Sequence, residues 1–141
     1  MLKIRNHNTQ QEILDFYKRP KFKNLKGENL ISQQLTDILD LNRSIGKTNG
    51  MYCKIAHEGK NSLLFNSKMR AIGKLAGVPD WLFIWPNNHL MIELKTRKGY
   101  LSPAQKFFHK EADKYDCNIC IAKSAEEALG ILYDYGFLKK D

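Results

Sequence analysis

Several features that would set a short sequence apart from ordinary globular domains are missing here. Cysteine occurs three times, at Cys53, Cys117 and Cys120, an odd number that does not close into a full disulfide framework. Cys117-Asn118-Ile119-Cys120 has no second CxxC or histidine cluster that would complete a zinc site. A redox pair of this spacing sits at a helix N-terminus, whereas this one runs into Asn118-Ile119-Cys120-Ile121-Ala122, which reads as a strand. The three thiols are therefore expected to be buried or incidental, in a reducing compartment. Long apolar runs are missing as well. Met1-Leu2-Lys3-Ile4-Arg5 lacks the apolar core of a secretory signal, and no stretch approaches the roughly 18 apolar residues that cross a bilayer. A cytoplasmic protein without membrane attachment is the expectation. There are neither internal repeats nor low-complexity tracts.

Acids are scarce relative to bases: 15 Asp and Glu against 23 Lys and Arg, a formal net charge of +8. Such a surplus attracts polyanions through long-range electrostatics and counterion release. Composition alone does not separate nucleic-acid binding from solubility. At 141 residues the chain is about the size of one domain, able to bury roughly two-thirds of its unfolded surface in one core.

Thr9-Gln10-Gln11-Glu12 has the spacing of a capping box, and Ile13, Phe16 and Tyr17 follow at helical spacing, which predicts a helix over 10–18. Arg19-Pro20-Lys21-Phe22-Lys23 breaks it, so residues 1–24 read as a basic helical appendage to a main domain over 25–141. From Glu28 to Asn42, Ile31, Leu35, Ile38 and Leu39 form one helical stripe. After a turn rich in Gly and Asn, Met51–Ala56 has the content of a short strand. Residues 57–77 are less decided, with a short helix available around Ser67–Leu75. Lys60, Lys68, Arg70 and Lys74 make this stretch the first choice for a phosphate-contacting surface, although a solvated loop is an equal reading for any one lysine.

Asp80–Trp85 and Leu90–Lys95 are two apolar, β-favouring runs joined by Pro86-Asn87-Asn88-His89. Ser102-Pro103-Ala104-Gln105 is a capping box with proline at the first helical position, opening a helix to about Tyr115. A strand over 118–122 and a helix from Ser124 to near Gly136 complete an α/β pattern, one mixed sheet flanked by helices.

A turn at Asn87 and Asn88 would pair 84 with 91, 82 with 93 and 80 with 95. Side chains alternate along each strand, so Asp80, Glu93 and Lys95 emerge on one face while Trp81, Phe83, Trp85, Ile92 and Leu94 fill the other. A slip of one residue would separate the acids. Converging carboxylates are costly unless a cation neutralises them, and all-oxygen ligands suit Mg²⁺ or Mn²⁺. The carbonyl of Leu94 is a further ligand in reach of the same ion. A metal with Lys95 beside it suits phosphodiester hydrolysis.

Gly77-Val78-Pro79-Asp80, twelve intervening residues, Glu93-Leu94-Lys95 and then Gly99-Tyr100-Leu101-Ser102-Pro103-Ala104-Gln105 resemble the VRR-NUC family of PD-(D/E)xK nucleases, in particular its compact phage-type members. The match runs from about Glu28 to Tyr135. The resemblance implies a restriction-endonuclease-like fold, Asp80 and Glu93 as metal ligands, Lys95 as the catalytic lysine and Gln105 as a supporting polar residue. It also implies an acid on the first core helix, which Glu28 fits by position. Ser32 stands where the family usually has glutamine, leaving Gln33 or Gln34 as alternatives to Glu28. His57-Glu58-Gly59-Lys60 resembles a family loop near the site.

Blander roles stand beside these. Gln105 is the third residue of a capping box, so its side chain has a purely local use. Glu28 is near a helix start, where the dipole favours an acid in any case. Trp81 and Trp85 read as core rather than as stacking platforms, and His89 and His109 as surface residues. The expectation is a Mg²⁺- or Mn²⁺-dependent DNA nuclease acting as a homodimer, selective for junctions or flaps. The alternative is a catalytically silent nucleic-acid-binding module with the same fold.

Overall fold

The computed structural model describes residues 6–55 and 62–141. Lys60 and the rest of His57-Glu58-Gly59-Lys60 lie outside them, as does Ala56, the last residue of the expected first strand.

The elements run α1 (Gln10–Tyr17), α2 (Gly27–Ser44), β1 (Met51–Lys54), α3 (Leu63–Ala71), β2 (Trp81–Trp85), β3 (Asn88–Leu94), α4 (Pro103–Lys114), β4 (Ile119–Ala122) and α5 (Ala125–Asp134). Four helices begin at residues whose hydroxyls accept a backbone N–H of the first turn: Thr9, Ser62, Ser102 and Ser124. In α5 the box is rearranged. Ser124 Oγ accepts from Glu127 N, but the Glu127 carboxylate accepts from Lys123 N one residue further out. The short helix expected at Ser67–Leu75 lies earlier, because Ser62 caps it and Gly73, with φ of 114°, ends it.

The sheet has the order β1-β2-β3-β4, with β1/β2 and β2/β3 antiparallel and β3/β4 parallel. Leu35 and Leu39 of α2, Ala128 and Leu132 of α5, and Phe137 and Leu138 beyond it pack on one sheet face against Trp81, Phe83, Leu90, Ile92 and Leu94. Phe137 meets Phe83 and Trp85 edge to face, at ring-centroid distances of 5.1 and 5.4 Å. This is the core, and each such side chain contributes roughly 1.5–3 kcal/mol when fully buried. Both tryptophans belong to it: Trp81 is buried and Trp85 packs at its margin.

The hairpin differs from expectation in register. Trp85 pairs with Asn88 and Trp81 with Ile92, so the turn is Pro86-Asn87 rather than Asn87-Asn88. Proline fixes φ at the first turn position and Asn87 takes the positive φ of 60° that the second requires, the residue pattern of a type II turn. The displacement is two residues, and since strand side chains repeat every two, every side chain keeps its face. Continued by one position, this register sets Asp80 opposite Glu93 instead of Lys95.

Cys53 is exposed, Cys117 is half-buried and Cys120 packs half-buried against the core, all three as free thiols. A smaller correction concerns His89 and His109. Neither histidine is a plain surface residue: His89 Nε2 accepts from Asn118 N at 3.0 Å, tying β3 to the start of β4. His109 is half-buried, with Nε2 buried and without a hydrogen-bond partner, and burial lowers its pKa.

The basic N-terminal segment is fastened to α2. Tyr17 lies against Tyr52 at 5.3 Å between ring centroids and under the guanidinium of Arg43 at 4.1 Å. Arg19 Nε is paired with Asp40 at 2.9 Å, and Gln33 Nε2 donates to the Phe22 carbonyl at 2.7 Å. No helix among the described residues is long and apolar enough to cross a membrane.

Candidate active site

Asp80 stands at the mouth of β2, where its position is fixed from both neighbours. Its carbonyl accepts from Ile55 N at 2.7 Å, and its Oδ2 accepts from Leu94 N at 2.8 Å. The approach to it depends on Gly77. With φ of 81°, Gly77 is in the left-handed region, and a Cβ there would overlap the backbone of Ala104 and Gln105 in the first turn of α4. The Gly77–Asp80 segment can therefore run directly against the helix start that carries Gln105.

Glu93 is buried, at 1 % exposure, on the sheet face opposite the main core. Its cover is Gln105, whose Nε2 donates to Glu93 Oε1 at 2.9 Å. The same Gln105 side chain closes the capping box of α4: its Oε1 accepts from Ser102 N at 2.8 Å, and Ser102 Oγ accepts from Gln105 N at 3.2 Å. Local and site-directed uses of this residue are thus both realised. Gln105→Ala leaves Ser102 as the N-cap but removes the return half of the capping box and the hydrogen bond to Glu93, each worth about 0.5–1.5 kcal/mol. Thermal melts should show a loss of about 1–3 kcal/mol, and a neutral result would contradict the double contact.

Glu28, in the first turn of α2, comes over the same point. Carboxylate oxygens of Glu28, Asp80 and Glu93 all lie within 4.8 Å of one another. Lys95 Nζ sits 3.7 Å from Glu28 Oε1 and 3.8 Å from Glu93 Oε1, with its side chain only 14 % exposed. Glu28, Asn29, Lys54, Asp80 and Leu94 line a cavity of about 200 Å³ at this place.

Electrostatically the cluster is incomplete. Glu93 Oε2 is buried with no hydrogen-bond partner. Burial and then the Asp80 charge push the Glu93 pKa up to about 8, with Glu28 adding to the rise and Lys95 opposing it. Three acids served by one nearby ammonium form a donor set that can hold a metal ion, and the orphaned oxygen is what such an ion would satisfy.

Other expected residues fall elsewhere. Lys68 and Arg70 are exposed on α3, and Lys74 follows it; Arg70 and Lys74 border a separate cavity with Asn66, Leu75 and Ala76. Ser32 accepts from Trp81 Nε1 at 3.1 Å, which explains a polar residue buried at that position. Gln33 holds Phe22, and Gln34 is exposed, so Glu28 is the α2 residue that reaches the acids. Lys54 was not singled out by sequence. It lies in a four-residue strand, and only the antiparallel pairing of Lys54 with Trp81 carries it to the cavity beside Asp80.

A mixed sheet flanked by helices, with acids and a lysine gathered where β2 and β3 meet α2 and α4, defines a restriction-endonuclease-like α/β fold. Among solved structures, a VRR_NUC domain protein matches over 89 % of this chain and 83 % of its own, with a TM-score of 0.50 and 21 % sequence identity. That likeness establishes the fold. No protein-family model matches the sequence, and no curated protein matches it.

Proposed function

We propose that this protein is a metal-dependent nuclease of the PD-(D/E)xK type that hydrolyses phosphodiester bonds in DNA. The observation that carries the reading is the convergence of the Glu28, Asp80 and Glu93 carboxylates within 4.8 Å, with Lys95 alongside two of them.

Asp80 and Glu93 are the ligands of a divalent cation, with Glu28 as a third carboxylate and the Leu94 carbonyl as a further donor. Oxygen-only donors fit Mg²⁺ or Mn²⁺ in preference to softer metals. When bound, such an ion supplies Lewis acidity toward a phosphoryl oxygen and lowers the pKa of a coordinated water. Lys95 has the complementary task. Its ammonium donates hydrogen bonds to the attacking water or to the non-bridging oxygens, whose negative charge grows as the new P–O bond forms and the leaving oxygen departs. Gln105 fixes the Glu93 oxygen it touches, and Leu94 N–H fixes Asp80, so neither acid has to reorganise when substrate arrives.

The basic surface serves the substrate. Lys68, Arg70 and Lys74, together with Lys60 beyond the described residues, are assigned to the phosphates flanking the cleaved one. Residues 1–24 are a basic addition to a nuclease domain over 25–141, in a cytoplasmic protein. A single active site reaches both strands of a junction poorly, so a homodimer is part of the reading. Exposed Leu63, Leu64, Ile72 and Leu75 on and beside α3 are consistent with it.

The test is a panel of duplex, single-stranded, flap and four-way-junction DNAs with Mg²⁺, Mn²⁺ or EDTA, with light scattering on the same protein. Metal-dependent cutting with a preference for branched DNA by a dimer is the expected result. Salt-sensitive DNA binding with no cutting of any substrate would identify a silent binding module instead.

A further inference from the structure

Beside the acid cavity lies a larger one of about 390 Å³, within the range of about 300–1,000 Å³ typical of small-ligand sites. Asn29 and Lys54 line both cavities, so the two adjoin. The larger groove runs along α2, with Trp81 in its floor and Arg19, Lys21 and Phe22 of the N-terminal segment forming its outer wall. Nothing in the proposed hydrolysis uses this groove.

Its walls differ along their length. Toward the acids stands the cation Lys54. At the outer wall Arg19 is spent on Asp40, which also accepts from the Tyr52 hydroxyl at 2.6 Å. Asp37, exposed on the α2 side, disfavours phosphate there. Phe22 is the unusual member. Its backbone is held by Gln33, yet its side is open to solvent, with 67 % of the residue exposed. An aromatic ring carried on a fixed backbone at the rim of a groove that leads from a phosphate site offers a stacking surface. Paired bases are already stacked on both sides, so the group that gains from such a surface is an unpaired base.

We propose that the groove binds one unpaired nucleotide of the DNA strand next to the scissile phosphate, its base stacked on Phe22 and its phosphate met by Lys54. The proposal rests on the nuclease reading and specifies its substrate: DNA with a single-stranded extension or branch beside the cut. Lys21 flanks the stacked base on the same wall, where it meets the next phosphate outward.

The experiment uses the full-length protein with Ca²⁺ in place of Mg²⁺, and duplex DNA that is either blunt or extended by a short single strand carrying 2-aminopurine at successive positions. Wild type should prefer the extended DNA and quench 2-aminopurine at one position. Phe22→Ala should abolish the quench and shrink the preference for extended over blunt DNA on the order of tenfold, while Phe22→Trp restores both. Lys54→Ala should weaken binding to the extended DNA more than to the blunt DNA and lower the slope of log affinity against log salt for the extended DNA by about one contact. Thermal melts of each variant close to wild type exclude misfolding, as expected for exposed side chains. A Phe22→Ala protein that retains both quench and preference overturns the groove assignment while leaving the nuclease intact if wild type still cuts with Mg²⁺. Wild type that neither binds nor cuts any DNA removes the nuclease reading itself, and this proposal with it.

Discussion

Asp80→Asn should eliminate metal-dependent cleavage while raising the stability of the metal-free protein. The substitution keeps a carbonyl oxygen to accept from Leu94 N, so the local backbone has no reason to move. It removes the carboxylate that, after burial, does most to raise the Glu93 pKa, and with it a repulsion between two acids set opposite each other in the sheet. Cleavage should fall below detection because one proposed ligand of the ion is gone. Lys95→Ala is expected to cut by a factor on the order of 10²–10³ more slowly, the usual loss when one donor to developing charge is removed. Its metal-free stability should fall, since Glu28 and Glu93 lose the ammonium within 4 Å that offsets them. Stability rising for one variant and falling for the other, with cleavage lost or slowed in both, is a signature that general unfolding does not produce. Undiminished cutting by both variants would reject the mechanism.

The second large effect couples pH to metal. The folded-state pKa of Glu93, about 8, stands above its ordinary value of 4.5, so between these values the native state holds a proton that the unfolded chain has lost. The stability this contributes is complete below about pH 4.5 and disappears as pH rises through about 8. Metal-free protein should therefore lose stability across that window, with a slope of at most about 1.4 kcal/mol per pH unit for one proton. His109 acts in the opposite sense at its lower end: its pKa is depressed by burial, so its contribution is present above 6.5 and lost as pH falls. On the proposed function, saturating Mg²⁺ or Mn²⁺ should displace the Glu93 proton. At a hundredfold excess over Kd, binding adds about 2.7 kcal/mol, or a rise in Tm on the order of 10 °C. At one fixed metal concentration the increment should be larger at pH 8 than at pH 6, because the proton that competes for Glu93 raises Kd at the lower pH. Melting curves with and without metal at the two pH values decide it, and a pH-independent increment would show that proton and ion do not compete for Glu93.

Much of this site is readable from sequence because strand periodicity is forgiving. The turn prediction chose Asn87-Asn88, whereas Pro86-Asn87 forms the turn; the two-residue displacement preserved the faces, so Asp80 and Glu93 still meet. Proline's fixed φ was the available signal. Glu28 was harder, since an acid at a helix start has a sufficient local reason to be there, and only the packing of α2 over the sheet brings it to the other two. Lys54 and Phe22 were beyond reach. A lysine in a four-residue strand and a phenylalanine in a basic loop acquire their neighbours from β-sheet pairing and from the Arg19–Asp40 and Gln33–Phe22 contacts, which no local pattern encodes. The helix α3 was placed late for a related reason: it buries no residue, so its apolar side chains follow no core-facing stripe.

The amide of Gln105 has its two ends committed differently. Its oxygen is consumed by the main chain at the helix start, and only its NH₂ faces Glu93. It can therefore give a hydrogen to a carboxylate but cannot take one from a carboxylic acid. The helix terminus thus leans toward the anion that an incoming cation needs, since an N–H bonds a carboxylate more strongly than the carbonyl of a neutral acid.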